Sequence, residues 1–266
     1  MTIDYQETTK DLQTRIDIHQ RYGSRDIDQW MLDLLKLERG MQILDVGCGS
    51  GKQLLAFHEY LQGEAQITGG DVNQELLDQA TERNAAAGNL WEIEQLDFNS
   101  RFPHDNDTYD LVSCCFAIYY AGDIPFTVGE MRRVLNPGGR LFTTGPMPVN
   151  KQTFYDVITE ATGKPIPPMP GSSRYDSEIL GTIRDQFSEV ELFIFENPLD
   201  FEAAEPFVDY TRASLSEDRK LWNSLFDTSE DYEKVISQID QVAQARIERE
   251  GHIVMTKVVG GIVATK

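Results

Sequence analysis

Cysteine and histidine are both scarce in this sequence, with three cysteines and four histidines among 266 residues. No two cysteines have the Cys-x-x-Cys spacing of a metal site, and no set of ligand-type residues lies close to them. Their odd number and internal placement also argue against a disulfide framework. The sequence therefore predicts reduced thiols in a cytoplasmic protein without a metal site; these thiols are Cys48, Cys114 and Cys115.

Basic residues are few as well, since 24 Lys and Arg stand against 44 Asp and Glu, for a net charge of −20. This balance argues against non-specific nucleic-acid binding, which depends on a basic surface. It permits a cationic substrate, although a well-solvated acidic surface gives the same composition. No run of 18 apolar residues is present, and the first residues are not a charged segment followed by an apolar one. We therefore expect neither a membrane span nor a signal peptide.

The residues that are present suffice for a folded core, because 40% of them are hydrophobic. The length suits one large α/β domain, and we predict a single domain over residues 1–266. The most informative segment begins with the apolar residues 43–46, which predict a buried strand. Glycines follow at positions 47, 49 and 51, and then a helical pattern begins. Strand, glycine turn and helix together are typical of the nucleotide sites of doubly wound α/β folds.

A glycine turn of this kind can bind a dinucleotide, a nucleotide phosphate or another ligand, or no ligand at all. The neighbouring residues distinguish these possibilities. A dinucleotide site would have Gly-x-Gly-x-x-Gly, but here the third glycine comes one residue early. Asp45, two residues before the first glycine, would also repel a diphosphate and favour a cationic group. A phosphate-binding P-loop fails because Val46 stands where its first glycine should be, and Gln53 replaces its Ser or Thr. A tight turn without any ligand is the remaining alternative.

Two patterns resemble those of a known family. Asp-x-Gly-x-Gly-x-Gly begins at Asp45, and Leu-x-Pro-Gly-Gly begins at Leu135, before a predicted strand. Over about residues 25–266 the chain resembles the class I S-adenosylmethionine-dependent methyltransferases. The resemblance implies S-adenosyl-L-methionine as cofactor, whose ammonium and sulfonium groups suit a carboxylate-flanked turn. From the first pattern it implies cofactor contacts at Asp45, Gly47, Cys48, Gly49 and Gly51.

Further cofactor contacts are implied after the next three predicted strands. Asp71 would accept hydrogen bonds from both ribose hydroxyls, although it could instead cap the following helix, and NAD enzymes share this geometry. Asp97 would accept from the adenine amine, or cap its own loop. The remaining implied contacts, through apolar side chains or backbone, are Val72, Phe98, Cys115 and Phe116.

A catalytic base is not identified by any pattern. Many members of the resembling family have two histidines where this chain has Tyr119 and Tyr120, so the tyrosines either line an aromatic acceptor pocket or simply pack. Tyr22 is the third catalytic candidate, because the N-terminal segment folds over the cofactor in related enzymes. His19 and His252 are further possible bases, although isolated histidines are more often structural.

The predicted fold is α/β, with a seven-stranded, mostly parallel sheet, helices on both faces and an antiparallel last strand. Residues 1–38 predict an N-terminal helical lid. Residues 200–250 predict a helical insertion before the last strand, which covers the acceptor site or forms a dimerisation surface. Candidate acceptor-binding residues in it are Phe207, Tyr210 and Arg212.

The predicted function is methyl transfer to N, O or C of a small-molecule acceptor, for example in natural-product biosynthesis. The expected partners are this acceptor, with no nucleic acid and no membrane, and the protein is expected to be a monomer or homodimer. Two alternatives remain at this stage: an NAD-dependent oxidoreductase, and a non-catalytic protein that binds S-adenosylmethionine.

Overall fold

The computed structural model describes residues 9–169, 171–214, 219–226 and 229–266. Its strands are β1 (Gln42–Val46), β2 (Gln66–Asp71), β3 (Glu92–Gln95), β4 (Tyr109–Cys115), β5 (Leu135–Pro146), β6 (Glu189–Phe201) and β7 (Ile253–Thr265). They form one sheet in the order β3-β2-β1-β4-β5-β7-β6. The first five strands are parallel, and β7 is antiparallel to both β5 and β6. The predicted sheet is confirmed, including its antiparallel last strand.

Helices lie on both faces of this sheet, as predicted. They are α1 (Thr9–Tyr22), α2 (Ile27–Leu35), α3 (Lys52–Tyr60), α4 (Gln74–Ala87), α5 (Ile124–Val134), α6 (Gln152–Thr162), α7 (Leu180–Gln186), α8 (Ala204–Ala213), α9 (Arg219–Leu225) and α10 (Ser229–Glu250). Apolar residues of α2, α3 and α4 form the core on one face, and those of α5 and α7 form the core on the other. No described helix is both long enough and apolar enough to cross a lipid bilayer.

Side-chain caps start several of the helices. Asp26 accepts hydrogen bonds from the backbone of Asp28 and Gln29 and so begins α2. Asn73 does the same for α4, and Asp123 caps α5. Each cap satisfies backbone N–H groups that have no partner inside the helix, which explains why the chain changes direction at these residues.

The paired strands β6 and β7 extend beyond the end of the neighbouring strand β5. β5 pairs only with Val259–Thr265 of β7, whereas β6 and β7 pair with each other over all 13 residues. The remaining six pairs, Glu196–Phe201 with Ile253–Val258, extend about 20 Å beyond the sheet. We call this part the ribbon. Asn197-Pro198 looks like a strand end in the sequence, but β6 continues through it, because β6 is an edge strand and an edge position tolerates a proline.

A third hydrophobic core surrounds the ribbon. It combines residues of α1, α6, α8, α9 and α10 with Leu199, Phe201, Ile253 and Met255 of the ribbon. We call these helices and the ribbon the cap. The predicted N-terminal lid and the predicted insertion thus contribute α1 and α8–α10 to it, and residues 1–8 of that lid lie outside the described chain. Sequence reasoning did not assign α6 to the cap.

Asn197 joins the N-terminal helices to the ribbon. Its side-chain oxygen accepts hydrogen bonds from the backbone of Ser24 at 3.0 Å and Arg25 at 3.2 Å, and its amide donates to the Arg25 carbonyl at 3.2 Å. Gly23 leaves the space for this contact, because a Cβ there would lie 2.5 Å from the Asn197 amide nitrogen. The turn between α1 and α2 is therefore held against β6.

Candidate functional site

The glycine turn lies between β1 and α3, at the carboxyl edge of the sheet. The backbone N–H groups of Gly47 and Cys48 both donate to the Gly70 carbonyl, at 2.7 and 3.0 Å, which binds the turn to β2. Gly47 has a φ of 75° and Gly49 a φ of 55°, both in the left-handed region that favours glycine. A Cβ at Gly47 would lie 2.7 Å from the Cβ of Ala117, whereas a Cβ at Gly49 would meet open space. The turn therefore presents bare backbone to a ligand at Gly49.

Asp45 lies beneath this turn and is 2% exposed. Its carboxylate accepts a hydrogen bond from the Ser113 hydroxyl at 2.5 Å. Burial raises the pKa of Asp45 to about 7, with the Ser113 hydrogen bond acting in the opposite direction and the nearby Asp71 charge adding to the rise. Burial and both aspartates also raise the pKa of the Cys48 thiol. Asp71 and the ionised fraction of Asp45 give the turn a negative charge, which disfavours a diphosphate and favours a cationic ligand.

Asp71 is the last residue of β2, and its side chain reaches the glycine turn. One carboxylate oxygen accepts the Gly49 N–H at 2.9 Å, and the other accepts the Asn73 N–H at 2.8 Å. The cap of α4 is Asn73, so Asp71 is not the helix cap that was its alternative role. Each carboxylate oxygen has a further lone pair, and the side chain is half-buried. Two adjacent hydroxyls can therefore donate to it.

Two large apolar side chains at this edge face solvent. Val72 is 57% exposed and Phe116 is 37% exposed. Phe116 also has a φ of 56°, held by a hydrogen bond from its N–H to the Thr144 carbonyl at 3.0 Å. A bulky residue in the left-handed region is strained, and such strain is concentrated at functional sites. An adenine ring and an aliphatic chain would cover these two surfaces.

The remaining cofactor candidates have partners within the chain. The Asp97 carboxylate accepts from the backbone and side chain of Asn99 at 2.9 and 3.0 Å, so its loop-capping role is present. Phe98 is half-buried and packs on the core beneath α5. The Cys115 sulfur accepts from the Gln53 amide at 3.3 Å, and burial raises the pKa of this thiol to about 12. Cys115 is therefore a neutral thiol at physiological pH.

Tyr119 and Tyr120 form a ring pair after β4, with centroids 4.6 Å apart. The Arg174 guanidinium donates to the carbonyls of Tyr119 and Ala121, each at 3.0 Å, and pairs with Glu178 at 2.7 Å. This contact fixes the tyrosine pair against the segment before α7. Tyr119 is 9% exposed, and Tyr120 packs half-buried against the same core.

The third catalytic candidate and both histidines lie in the cap. Tyr22 packs on Phe201 with centroids 5.0 Å apart, in a different core from the tyrosine pair. His19 stacks on Tyr210 at 6.0 Å. His252 lies on the surface, half exposed, with its ring nitrogen 3.0 Å from the Asp200 carboxylate.

The acceptor candidates occupy two different environments. Phe207 and Tyr210 have no exposed surface, and Phe207 packs against Phe201 and Phe154 inside the cap. Arg212 forms two hydrogen bonds of 2.9 Å to Glu233 on the outside of the cap, and its side chain is 41% exposed. Their roles in acceptor binding stay predictions.

Sequence reasoning missed two lysines beside Tyr210. The Lys257 ammonium lies 3.3 Å from the Tyr210 hydroxyl, and the Lys151 ammonium lies 6.0 Å from the centre of the Tyr210 ring. They are far apart in sequence and belong to no motif, so only the fold brings them together. Within the ranges that the structure describes, no cluster of His, Cys, Asp and Glu could hold a metal ion.

Known proteins resemble this chain in the region of the site. Residues 43–139 match the family model described as a methyltransferase domain. The chain is 26% identical over 173 residues to a ubiquinone/menaquinone biosynthesis C-methyltransferase of Desulfotalea psychrophila, covering 65% of this chain and 64% of the relative. It is 32% identical over 136 residues to a malonyl-[acyl-carrier protein] O-methyltransferase of Salmonella typhimurium, covering 49% and 51%. The chain thus spans half to two thirds of these relatives' length.

The fold also has relatives among solved structures. The YcgJ protein of Bacillus subtilis superposes with a TM-score of 0.59 at 16% identity, covering 90% of this chain and 97% of that one. At this identity the likeness concerns the fold alone. The matched segment begins in β1 and contains the glycine turn, Asp71, Asp97 and the end of β4. Over residues 43–139 the chain is therefore similar to methyltransferase domains.

Proposed function

We propose that this protein is an S-adenosylmethionine-dependent methyltransferase that acts on a small molecule. The proposal rests on the turn at Gly49. A Cβ at Gly49 would meet open space, and the Asp71 carboxylate accepts the Gly49 N–H. The charge around the turn, from Asp71 and Asp45, is negative. A cofactor with a sulfonium and an ammonium fits this charge, whereas the diphosphate of NAD does not. This distinction disfavours the oxidoreductase alternative.

The cofactor would be held by residues from the first four strands. Asp71 would accept the two ribose hydroxyls, and Val72 would cover the adenosine. Asp97 and the Phe98 backbone would meet the adenine ring. Backbone at Gly47 and Gly49 would border the methionine part, with Asp45 beneath the turn. Further contacts of that part would come from Cys48, Gly51, Cys115 and Phe116.

The bound cofactor supplies a methyl group already activated by the positive charge of its sulfur. The protein then mainly has to hold the acceptor atom in line with that methyl group, at about 3–3.5 Å. Tyr119, Tyr120 and Tyr22 are the proposed groups for orienting the acceptor or removing its proton. For an amine acceptor, excluding water and delivering the neutral amine suffices, so a base is optional.

We further propose that the acceptor is an intermediate of small-molecule biosynthesis, and that the cap selects it. Phe207, Tyr210 and Arg212 are the proposed cap contributions. A cytoplasmic location, a monomeric or homodimeric state and the lack of nucleic-acid partners belong to the same proposal. The reduced thiols support the location, and the net charge of −20 supports the lack of nucleic-acid partners.

Calorimetric titration of the full chain with S-adenosylhomocysteine, S-adenosylmethionine and NAD tests the proposal. We expect the first two to bind with micromolar affinity and NAD to give no heat. Binding of NAD alone would support the oxidoreductase and contradict the proposal. Binding of S-adenosylmethionine without turnover on a panel of phenol, carboxylic acid and amine acceptors would favour the non-catalytic alternative.

A further inference from the structure

The Gln53 side chain joins two elements at the edge of the sheet where the glycine turn lies. Gln53 is the second residue of α3, which begins directly after the turn, and Cys115 is the last residue of β4. The side-chain amide of Gln53 donates to the Cys115 sulfur at 3.3 Å. The side chain therefore extends from the start of α3 to the end of the strand that lies beside β1.

This position is the switch point of the sheet. β1 and β4 are neighbours, and the helices that follow them, α3 and α5, pack on opposite faces. In open α/β sheets, ligands bind in the crevice that such a point leaves at the carboxyl ends of the two strands. Phe116, with its positive φ, follows Cys115 at this place, and Ala117 adjoins Gly47. A ligand in the crevice therefore lies beside Gln53.

One polar atom of the Gln53 side chain is not used by the protein. The amide nitrogen is bound to Cys115, whereas the carbonyl oxygen has no hydrogen-bond partner in the part of the chain that the structure describes. This oxygen is not buried, so it is open to solvent. A thiol is a weak acceptor, and the bond to it gives little reason for an amide here. Because the amide is held by its nitrogen, it presents its oxygen as an acceptor for a ligand.

The charges around the Cys115 thiol favour a cationic donor. The pKa of this thiol is raised first by burial and then by the Asp45 and Asp28 carboxylates, so both carboxylates lie near it. The charge of Asp28 is balanced by the Lys52 ammonium, 2.5 Å away. Asp45 has no cationic partner among the described side chains. A hydrogen bond from an ammonium to the amide oxygen is charge-assisted, and such bonds are stronger than those between neutral groups.

We propose that the carbonyl oxygen of Gln53 accepts a hydrogen bond from the ammonium group of S-adenosylmethionine. This inference rests on the proposed function, because it takes the ligand at the glycine turn to be this cofactor. Gln53 then recognises the amino group, so that the cofactor binds in preference to the same molecule without that group.

The test is calorimetric titration of the full chain with S-adenosylhomocysteine and with its deaminated analogue. The two ligands share the adenosine, the sulfur and the carboxylate, and only the first has an ammonium. Q53M keeps the length of the side chain and removes the oxygen. It should weaken binding of S-adenosylhomocysteine about tenfold, whereas the deaminated analogue should bind within threefold of its affinity for the parent.

Q53E separates the oxygen of the amide from its nitrogen, which a rotated side chain would exchange. This variant keeps an acceptor and removes the donor, so S-adenosylhomocysteine should bind at least as tightly as one third of its affinity for the parent. Q244M is the matched control, because Gln244 is an exposed glutamine on α10, and it should bind both ligands like the parent. Urea unfolding of each variant checks that it is folded under the titration conditions.

Equal losses for both ligands in Q53M, or no loss for either, would overturn the inference. A loss of more than tenfold in Q53E would overturn it too, since the nitrogen would then face the cofactor. In each of these cases the parent still binds S-adenosylhomocysteine, so the role of Gln53 is wrong and the proposed function stands. If the parent does not bind S-adenosylhomocysteine, the proposed function fails, and the inference fails with it.

Discussion

At the residue scale, the Asp71 side chain connects the glycine turn to the end of β2 through hydrogen bonds. Its two carboxylate oxygens orient the N–H groups of Gly49 and Asn73, and they still have lone pairs for a ligand. Sequence reasoning identified this residue from its distance to the glycines, because both lie in one local strand–turn–helix–strand unit. It did not find Lys151 and Lys257, since only tertiary packing brings these two lysines together.

The first prediction concerns Asp71→Asn, which keeps the shape of the side chain and removes its charge. It should weaken S-adenosylhomocysteine binding by about 1.5–3 kcal/mol, roughly 10- to 150-fold, because two charge-assisted hydrogen bonds are lost or weakened. Calorimetric titration measures this. Asp78→Asn, at an exposed position of α4, is the control and should bind like the parent. Equal affinity in Asp71→Asn would remove this residue from the ribose contacts.

The second prediction concerns the buried carboxyl group of Asp45. Its pKa is raised from 3.8 to about 7 in the folded protein, so between these pH values the folded state holds a proton that the unfolded state releases. Because the unfolded state binds fewer protons, this group lowers the stability as pH rises across that window, and its effect levels off above about pH 7. The total effect is up to about 4 kcal/mol, from 1.36 kcal/mol per pH unit.

Asp45→Asn removes this titration, so the free energy of unfolding of the variant, relative to the parent, should rise between pH 4.5 and 7 and then stay constant. Urea unfolding at several pH values measures the difference. The exposed Asp78→Asn variant should show no such trend. A difference that is independent of pH, or that falls with pH, would contradict the raised pKa.

At the element scale, the glycines of the turn serve different purposes. Gly47 is needed by the fold, since a Cβ there would meet Ala117 and its φ is positive. Gly49 has a positive φ too, but a Cβ there would enter the open space that the cofactor is proposed to occupy. The sequence predicted a turn with a ligand, but it did not show which glycine faces the core and which faces the ligand.

The third prediction follows from this contrast. Gly47→Ala should destabilise the protein by several kcal/mol, about 1–2 from the left-handed φ and more from the clash. Gly49→Ala should lose only about 1–2 kcal/mol of stability, but at least tenfold in affinity for S-adenosylhomocysteine. Urea unfolding and calorimetry on both variants measure the two quantities. Normal cofactor affinity in a folded Gly49→Ala variant would show that the ligand does not approach this backbone.

The strands show where sequence patterns succeed and where they stop. The apolar residues 43–46 predict a strand and β1 contains them, because buried parallel strands are short apolar segments bounded by turn residues. The sequence of β6 is harder to interpret, since Asn197-Pro198 looks like a strand end. In the structure Asn197 binds the turn after α1, and Pro198 lies on an exposed edge. A sequence gives no sign that a strand is at an edge, so the ribbon was not predicted.

At the scale of the whole molecule, the net charge of −20 is distributed over a chain of 266 residues. Charges of the same sign repel one another more in the compact state than in the unfolded chain. The fourth prediction is that the melting temperature rises by a few degrees when NaCl is increased from 20 to 500 mM, because salt screens this repulsion. Differential scanning calorimetry measures it. A melting temperature that falls with salt would show that attractive ion pairs outweigh the repulsion.

The ribbon connects the core of the cap to the cores on the two faces of the sheet. Its two strands continue the backbone hydrogen bonds of β6 and β7 from the sheet into the cap without interruption. A cap joined to the sheet by a single loop could swing toward a bound molecule. Here paired strands join the cap to the sheet, so we expect the position of the cap relative to the glycine turn to be set when the chain folds.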